Sequence, residues 1–284
     1  MQKIKLEAKD KKAIEDFIKE IQKEFPNHDV NVNNVNDFAI CLEQKKNCKD
    51  CLGLKYCQNS ENGHYTAFVG NGFVSVPCKY KKENEAKNHS LIKTLYLPSE
   101  VLNATLENFE ANTDSRKKIY KHIVETIGNK KEDFYKGLYL YGTFSIGKTY
   151  TLAVIANELS KNNIKSLLIY FPDLVLDLKN AMGTPRFEEL VNMLKSIDVL
   201  MLDDVGSENI TPWVRDEILG PVINYRMMAE LPLYVSSNLN PNDLKKHLSI
   251  DGSKASELKA DRIVSRMTSL LVSINMDDSK RYKR

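Results

Sequence analysis

No apolar run in this chain reaches the roughly eighteen residues that a membrane span needs. The opening Met1-Gln2-Lys3-Ile4-Lys5 leads into a charged helical pattern and lacks the hydrophobic core of a signal peptide. Both absences predict a cytoplasmic protein with no membrane partner. Charge of one sign is scarce as well: 41 Lys and Arg stand against 38 Asp and Glu, a net +3 that selects no partner. The only local excess is the tail Lys280-Arg281-Tyr282-Lys283-Arg284, which reads as a solvated end or as a nucleic-acid contact. Internal repeats and low-complexity segments are missing too. Cysteine is absent before Cys41 and after Cys78, and all five cysteines lie inside that interval. Disulfides do not persist in the cytoplasm, so the clustering argues for a metal or for buried thiols.

At 284 residues the chain has room for two domains, and 42% hydrophobic content is enough for one of them to bury a good core. Residues 7–25 place Ile14, Phe17, Ile18 and Ile21 at helical period, and Pro26-Asn27 stops the run. A second helix is expected over residues 36–46, and strands over 64–69 and 72–76 form a hairpin around Gly70-Asn71-Gly72. Residues 79–90 are polar with no apolar period and read as the start of a linker. The expected organisation is a small α+β domain over 1–88, a linker over 89–112 and a second domain over 113–284. Residues 106–109 and 115–127 read as helices leading into that second domain. From Leu138 onward five short apolar runs, at 138–141, 166–170, 199–202, 233–236 and 271–274, alternate with stretches of helical length. Such alternation predicts a parallel sheet covered by helices on both faces, with ligands beyond the carboxyl ends of the strands.

The first of those strands ends in Gly142-Thr143-Phe144-Ser145-Ile146-Gly147-Lys148-Thr149. This is G-x-x-x-x-G-K-[ST] in its proper strand–loop–helix setting. Backbone N–H groups of such a loop cradle phosphates, the lysine reaches the β/γ oxygens, and the hydroxyl meets Mg²⁺. ATP with Mg²⁺ is the predicted ligand, bound by Gly142 to Thr149. The run Val199-Leu200-Met201-Leu202 ends in Asp203-Asp204, and acids at the end of a buried strand need a cation to meet them. Asp203 is placed to hold Mg²⁺ together with Thr149, and Asp204 to polarise the attacking water. Asp204 is one methylene shorter than the glutamate common at that position, which predicts slow hydrolysis. Asn238, after Leu233-Tyr234-Val235-Ser236-Ser237, is expected to sense the γ-phosphate; its alternative is a plain turn before Pro241. Arg262 and Arg266 lie at i and i+4 on a predicted helix over 259–270, where they suit an arginine finger or a solvated face equally. Arg281 follows the last strand, within reach of a nucleotide bound to the same subunit.

Cys48-x-x-Cys51 has the spacing of one zinc knuckle, and Cys57, His64 and Cys78 are candidates for the remainder. The expected ligand set is Cys48, Cys51, Cys57 and Cys78, with His64 as the substitute for Cys57. Buried thiols acting as small hydrophobes are the alternative.

With these residues in view, residues 137–284 resemble the AAA+ domain of bacterial replicative helicase loaders, the DnaC/DnaI group. The resemblance rests on Gly142–Thr149, Leu202–Gly206, Trp213–Leu219, Tyr225–Met227, Ser236–Asn238 and Asp261–Met267. The cysteine-bearing segment is similar to the DnaI branch. The resemblance implies a P-loop NTPase core with a minimal lid, preceded by a small zinc-binding domain that grips the helicase. It also implies ATP-dependent loading of the hexameric replicative helicase during primosome assembly, binding of single-stranded DNA, and self-association through the AAA+ domain. Arg266, with Arg262 as the alternative, takes the finger role and Arg281 the sensor-2 role. Ten residues follow Ile274, too few for a helical lid, so closure over ATP would fall to a neighbouring subunit. Two other readings stand beside it: a transposition helper ATPase of the IstB kind, and an adaptor that binds ATP without significant hydrolysis.

Overall fold

The computed structural model describes residues 8–70, 72–98, 103–127 and 135–278. The chain divides into two compact units, Met1–Lys87 and Asn88–Arg284.

In the first unit, helices α1 (Ala8–Glu24) and α2 (Val35–Lys49) precede an antiparallel hairpin of β1 (His64–Val69) and β2 (Gly72–Pro77). Its core is small: Ile21, Val30, Val35 and Phe38 are buried, and Ile18, Phe25, Leu42, Phe68 and Phe73 lean on them. Phe25, Phe38, Phe68 and Phe73 form an edge-and-tilt cluster whose ring centroids lie 4.9–5.5 Å apart. Phe17, although in helical phase with Ile14 and Ile21, is 39% exposed. The side chain of Gln44 ties α2 to the hairpin by accepting the Thr66 N–H.

The polar stretch expected to open a linker is instead helix α3 (Lys79–Leu91). Lysine and glutamate are good helix formers, and a missing apolar period signals exposure rather than loss of the helix. The linker expectation differs at a second point. Residues 92–95 form strand β3 (Ile92–Leu95), which pairs in parallel with β5 (Ser166–Tyr170) at the edge of the second unit's sheet. Residues 106–108 form a turn rather than a helix.

The sheet of the second unit has six parallel strands in the order β3-β5-β6-β7-β4-β8, where β4 is Gly137–Tyr141, β6 Val199–Asp203, β7 Leu233–Ser237 and β8 Leu271–Asn275. Helices α4 (Asp114–Thr126), α5 (Lys148–Lys161), α6 (Phe171–Ala181), α7 (Pro185–Ser196), α8 (Gly220–Met228), α9 (Pro241–Leu248) and α10 (Lys254–Leu270) connect and cover it. Side chains alternate between two cores, as a strand buried on both faces requires. Leu167, Ile169, Leu200, Leu202, Leu233 and Val235 face α6, α7, α8 and α10. Leu138, Leu140, Leu168, Met201 and Tyr234 face α4 and α5. The strand order matters for the site. β7 lies between β4, which feeds the phosphate loop, and β6, which ends in Asp203. Three strand ends therefore converge at one carboxyl edge.

Among the described residues no helix is long and apolar enough to cross a membrane.

Candidate functional site

The loop after β4 turns through left-handed backbone at Ser145 (φ 61°) and Gly147 (φ 91°), and α5 begins at Lys148. Successive N–H groups in such a turn point inward and form an anion-binding concavity at a helix N-terminus. Ile146 is buried in the α5-side core and anchors the loop, while Phe144 stands 70% exposed at its tip. The loop, Thr149, Tyr150, Tyr170, Asp203, Asp204, Ser236 and Asn238 line a cleft of about 380 Å³.

Lys148 is buried, and its ammonium donates to Gly142 O at 2.9 Å, Thr143 O at 2.8 Å and Asn238 Oδ1 at 2.8 Å. All three acceptors are neutral. Burial pushes its pKa down, while the charges of Asp204, Asp203 and Asp277 pull it up. A buried cation with only neutral acceptors is a site suited to an anion.

Asp203, 2% exposed, accepts from the Thr149 hydroxyl at 2.8 and 3.0 Å and from the Ser236 hydroxyl at 2.6 Å. Burial raises its pKa, and the bonds from Ser236 and Thr149 oppose that rise. Thr149 and Asp203 face each other as the pair that would hold Mg²⁺, which when bound neutralises phosphate charge. Asp204 adopts φ 60°, uncommon for a residue with a Cβ, and its N–H donates to Ser236 Oγ at 2.9 Å. Asn238 donates to Asp204 Oδ1 at 2.8 Å while receiving the Lys148 ammonium. Asn238 thus joins the lysine to the second acid.

The structure gathers Gly142–Thr149, Asp203, Asp204 and Asn238 at one place. Neither Arg262 nor Arg266 lines this cleft; Arg262 is exposed, Arg266 half-buried, and among the described residues neither guanidinium has an ion-pair partner. Arg281 lies outside the described residues. Sequence reasoning passed over Ser236, whose single hydroxyl serves both acids; only its position among the polar residues closing β7 marked it.

In the first unit, Cys48, Cys51, Cys57, His64 and Cys78 line one cavity of about 940 Å³. Polar donors reach two of the sulfurs: Gly63 N–H meets Cys57 Sγ at 3.3 Å, and the Asn59 amide meets Cys48 Sγ at 3.5 Å while also binding His64 O at 2.7 Å. Cys41 differs, since its thiol donates to Thr66 O at 3.2 Å and burial raises its pKa, which keeps it protonated. Among the described residues no three His, Cys, Asp or Glu side chains stand close enough to hold a metal ion as placed.

This chain has relatives among replication proteins. The family model of the bacterial DnaA ATPase domain matches residues 102–250. The replicative helicase loader DnaI of Bacillus subtilis (strain 168) is 37% identical over 257 residues, which cover 87% of this chain and 82% of the loader. That span exceeds the whole 88–284 unit, so the likeness reaches into the first unit. A crystal structure of DnaI is similar with a TM-score of 0.62 and 38% identity, covering 66% of this chain and 97% of that one. A structure of the replication initiator DnaA bound to AMPPCP and single-stranded DNA is similar with a TM-score of 0.51 and 25% identity, covering 66% of this chain and 53% of that one.

Proposed function

This chain belongs to the family of replicative helicase loaders represented by DnaI, and we propose that it is an ATP-controlled loader of the hexameric replicative helicase. The observation that carries the reading is the coincidence of one cleft lined by the loop, Asp203, Asp204 and Asn238 with a likeness to DnaI that extends beyond the second unit. ATP lies on the loop 142–149 with Lys148 at its β/γ-phosphates, and Thr149 and Asp203 hold Mg²⁺. Asp204 polarises water, Asn238 reads the γ-phosphate, and Arg266 or Arg262 completes the site from a neighbouring copy. Arg281 reaches the nucleotide within its own subunit. Single-stranded DNA is a further ligand of the ATPase unit, in keeping with the DNA-bound initiator it resembles. Hydrolysis is slow and serves release.

The first unit holds the helicase and is stapled by zinc. Cys48, Cys51, Cys57 and Cys78 are the ligands, with His64 as the alternative to Cys57, and the Asn59 amide and the Gly63 N–H lie against the Cys48 and Cys57 sulfurs. Among the described residues the unit's core is four buried apolar side chains, and a core of that size gains from a metal.

Full-length protein is tested by pull-down of the replicative helicase and by ATP turnover with and without single-stranded DNA. The expected result is ATP-sensitive capture, with turnover falling about a hundredfold or more in Asp204→Asn while ATP binding persists. The Cys48→Ser, Cys51→Ser double variant loses helicase capture and keeps ATP binding. Absence of capture by the wild type sinks the loader reading, and intact capture by the double variant sinks the zinc-dependent grip. Turnover at background in the wild type, and no lower in Asp204→Asn, favours an adaptor that uses ATP as a structural ligand.

A further inference from the structure

The phosphate loop is held from behind as well as from within. After β8 the Met276 N–H donates to Tyr141 O at 2.8 Å, and Asn275 Oδ1 accepts the Asp277 N–H at 2.9 Å. This turn sets Asp277 against Gly142. A Cβ built at Gly142 would stand 2.7 Å from Asp277 Oδ1 and 2.8 Å from Ile146 Cδ1, so the glycine is needed for the close approach. The same carboxylate oxygen accepts the Thr143 N–H at 2.7 Å. Asp278, the next residue, accepts the Ser115 N–H at 2.9 Å and the Ser115 hydroxyl at the start of α4. Arg116 follows Ser115, is 3% exposed, lies over the Phe109 ring and donates to Ile146 O at 3.3 Å. Neither Asp277 nor Arg116 lines the cleft.

We propose that Asp277 is a positioning residue for nucleotide binding, acting through the Thr143 N–H, while Arg116 fixes the same loop at Ile146. The proposal rests on the reading that residues 142–149 bind ATP. By charge alone, an acid beside a triphosphate site weakens binding. Its placement is accounted for by geometry instead: it holds the Thr143 amide near the start of the loop, so that the amides beyond it are already aimed when phosphate arrives. One end of the loop is gripped at Thr143 and the other at Ile146, with the phosphate-facing turn at Ser145 between them.

The test uses full-length protein, ATP and ADP titrations, steady-state ATP turnover and hydrogen exchange of the Thr143 amide without nucleotide. Asp277→Ala removes the acceptor. It should weaken ATP and ADP alike by about tenfold, the scale of one hydrogen bond to a charged group, and speed exchange at Thr143. Turnover at saturating ATP should stay within about threefold, so that the change falls on KM. Asp277→Asn keeps a side-chain oxygen without the charge and should restore both affinity and slow exchange, which separates loop positioning from loss of fold. Wild-type affinity and exchange in Asp277→Ala would overturn the proposal. So would an Asp277→Asn variant as weak as the alanine, or tighter binding by both variants, which would mark Asp277 as a repelling charge only. Lys148→Ala serves as the reference. If it abolishes ATP binding while Asp277→Ala behaves as wild type, the positioning role fails and the ATP site stands. If the wild type binds no ATP, the ATP reading fails, and exchange at Thr143 alone decides whether Asp277 holds the loop.

Discussion

Ser236 shows how much a single hydroxyl can carry. It donates to Asp203, accepts from the Asp204 N–H, and is 1% exposed. Ser236→Ala leaves a buried carboxylate short of a donor and a buried N–H without its acceptor. Each such loss costs about 1–3 kcal/mol, so urea unfolding should report a destabilisation within or above that range. Nucleotide hydrolysis should also fall, because the left-handed Asp204 loses its tether. His122 gives a pH signature at the same scale. Burial lowers its pKa from 6.5 to about 4, with Glu125 opposing the change, and its Nε2 lies 3.5 Å from the Tyr234 hydroxyl. Between those values the unfolded chain binds the proton and the folded chain does not. Stability is therefore present above pH 6.5 and is lost as the pH falls toward about 4, by at most about 1.4 kcal/mol per pH unit. His122→Gln should flatten that slope, as measured by urea midpoints across the window.

At the level of elements, Arg226 on α8 is the clearest case of one side chain closing several. It is fully buried, and its guanidinium donates to the carbonyls of Leu194, Lys195, Ile197, Asp198 and Pro232. Those oxygens end α7 and flank β6 and β7, and the Pro232 carbonyl also accepts the Leu200 N–H of β6. Burial lowers the Arg226 pKa to about 10, which still leaves it charged at neutral pH. Arg226→Met strips a donor from five carbonyls and should cost at least about 3 kcal/mol in urea unfolding. Strands of the sheet interior were legible in the sequence because both faces are buried, which gives unbroken apolar runs such as Val199 to Leu202. Strand β3 was not, since Ile92-Lys93-Thr94-Leu95 owes its extended form to pairing with β5, over seventy residues away. The phosphate loop, Asp203 and Asn238 were legible because each closes such a run. Asp277 and Arg116 were not, for they meet the loop across long separations that no local pattern records.

For the whole molecule, the place where the chain divides has a practical consequence. Ile92 is buried, and β3 belongs to the sheet of the second unit. A fragment of residues 88–284 should therefore fold and bind ATP. A fragment of 106–284, cut where composition alone would allow, exposes the edge of β5 and should melt at a lower temperature or aggregate. Comparative melting curves and ATP titrations of the two fragments check this. The bonds that Lys148 makes to Gly142, Thr143 and Asn238 have a further consequence for specificity. An incoming group must outcompete three neutral oxygens for the same ammonium, which a charged phosphate oxygen can do and a neutral one cannot.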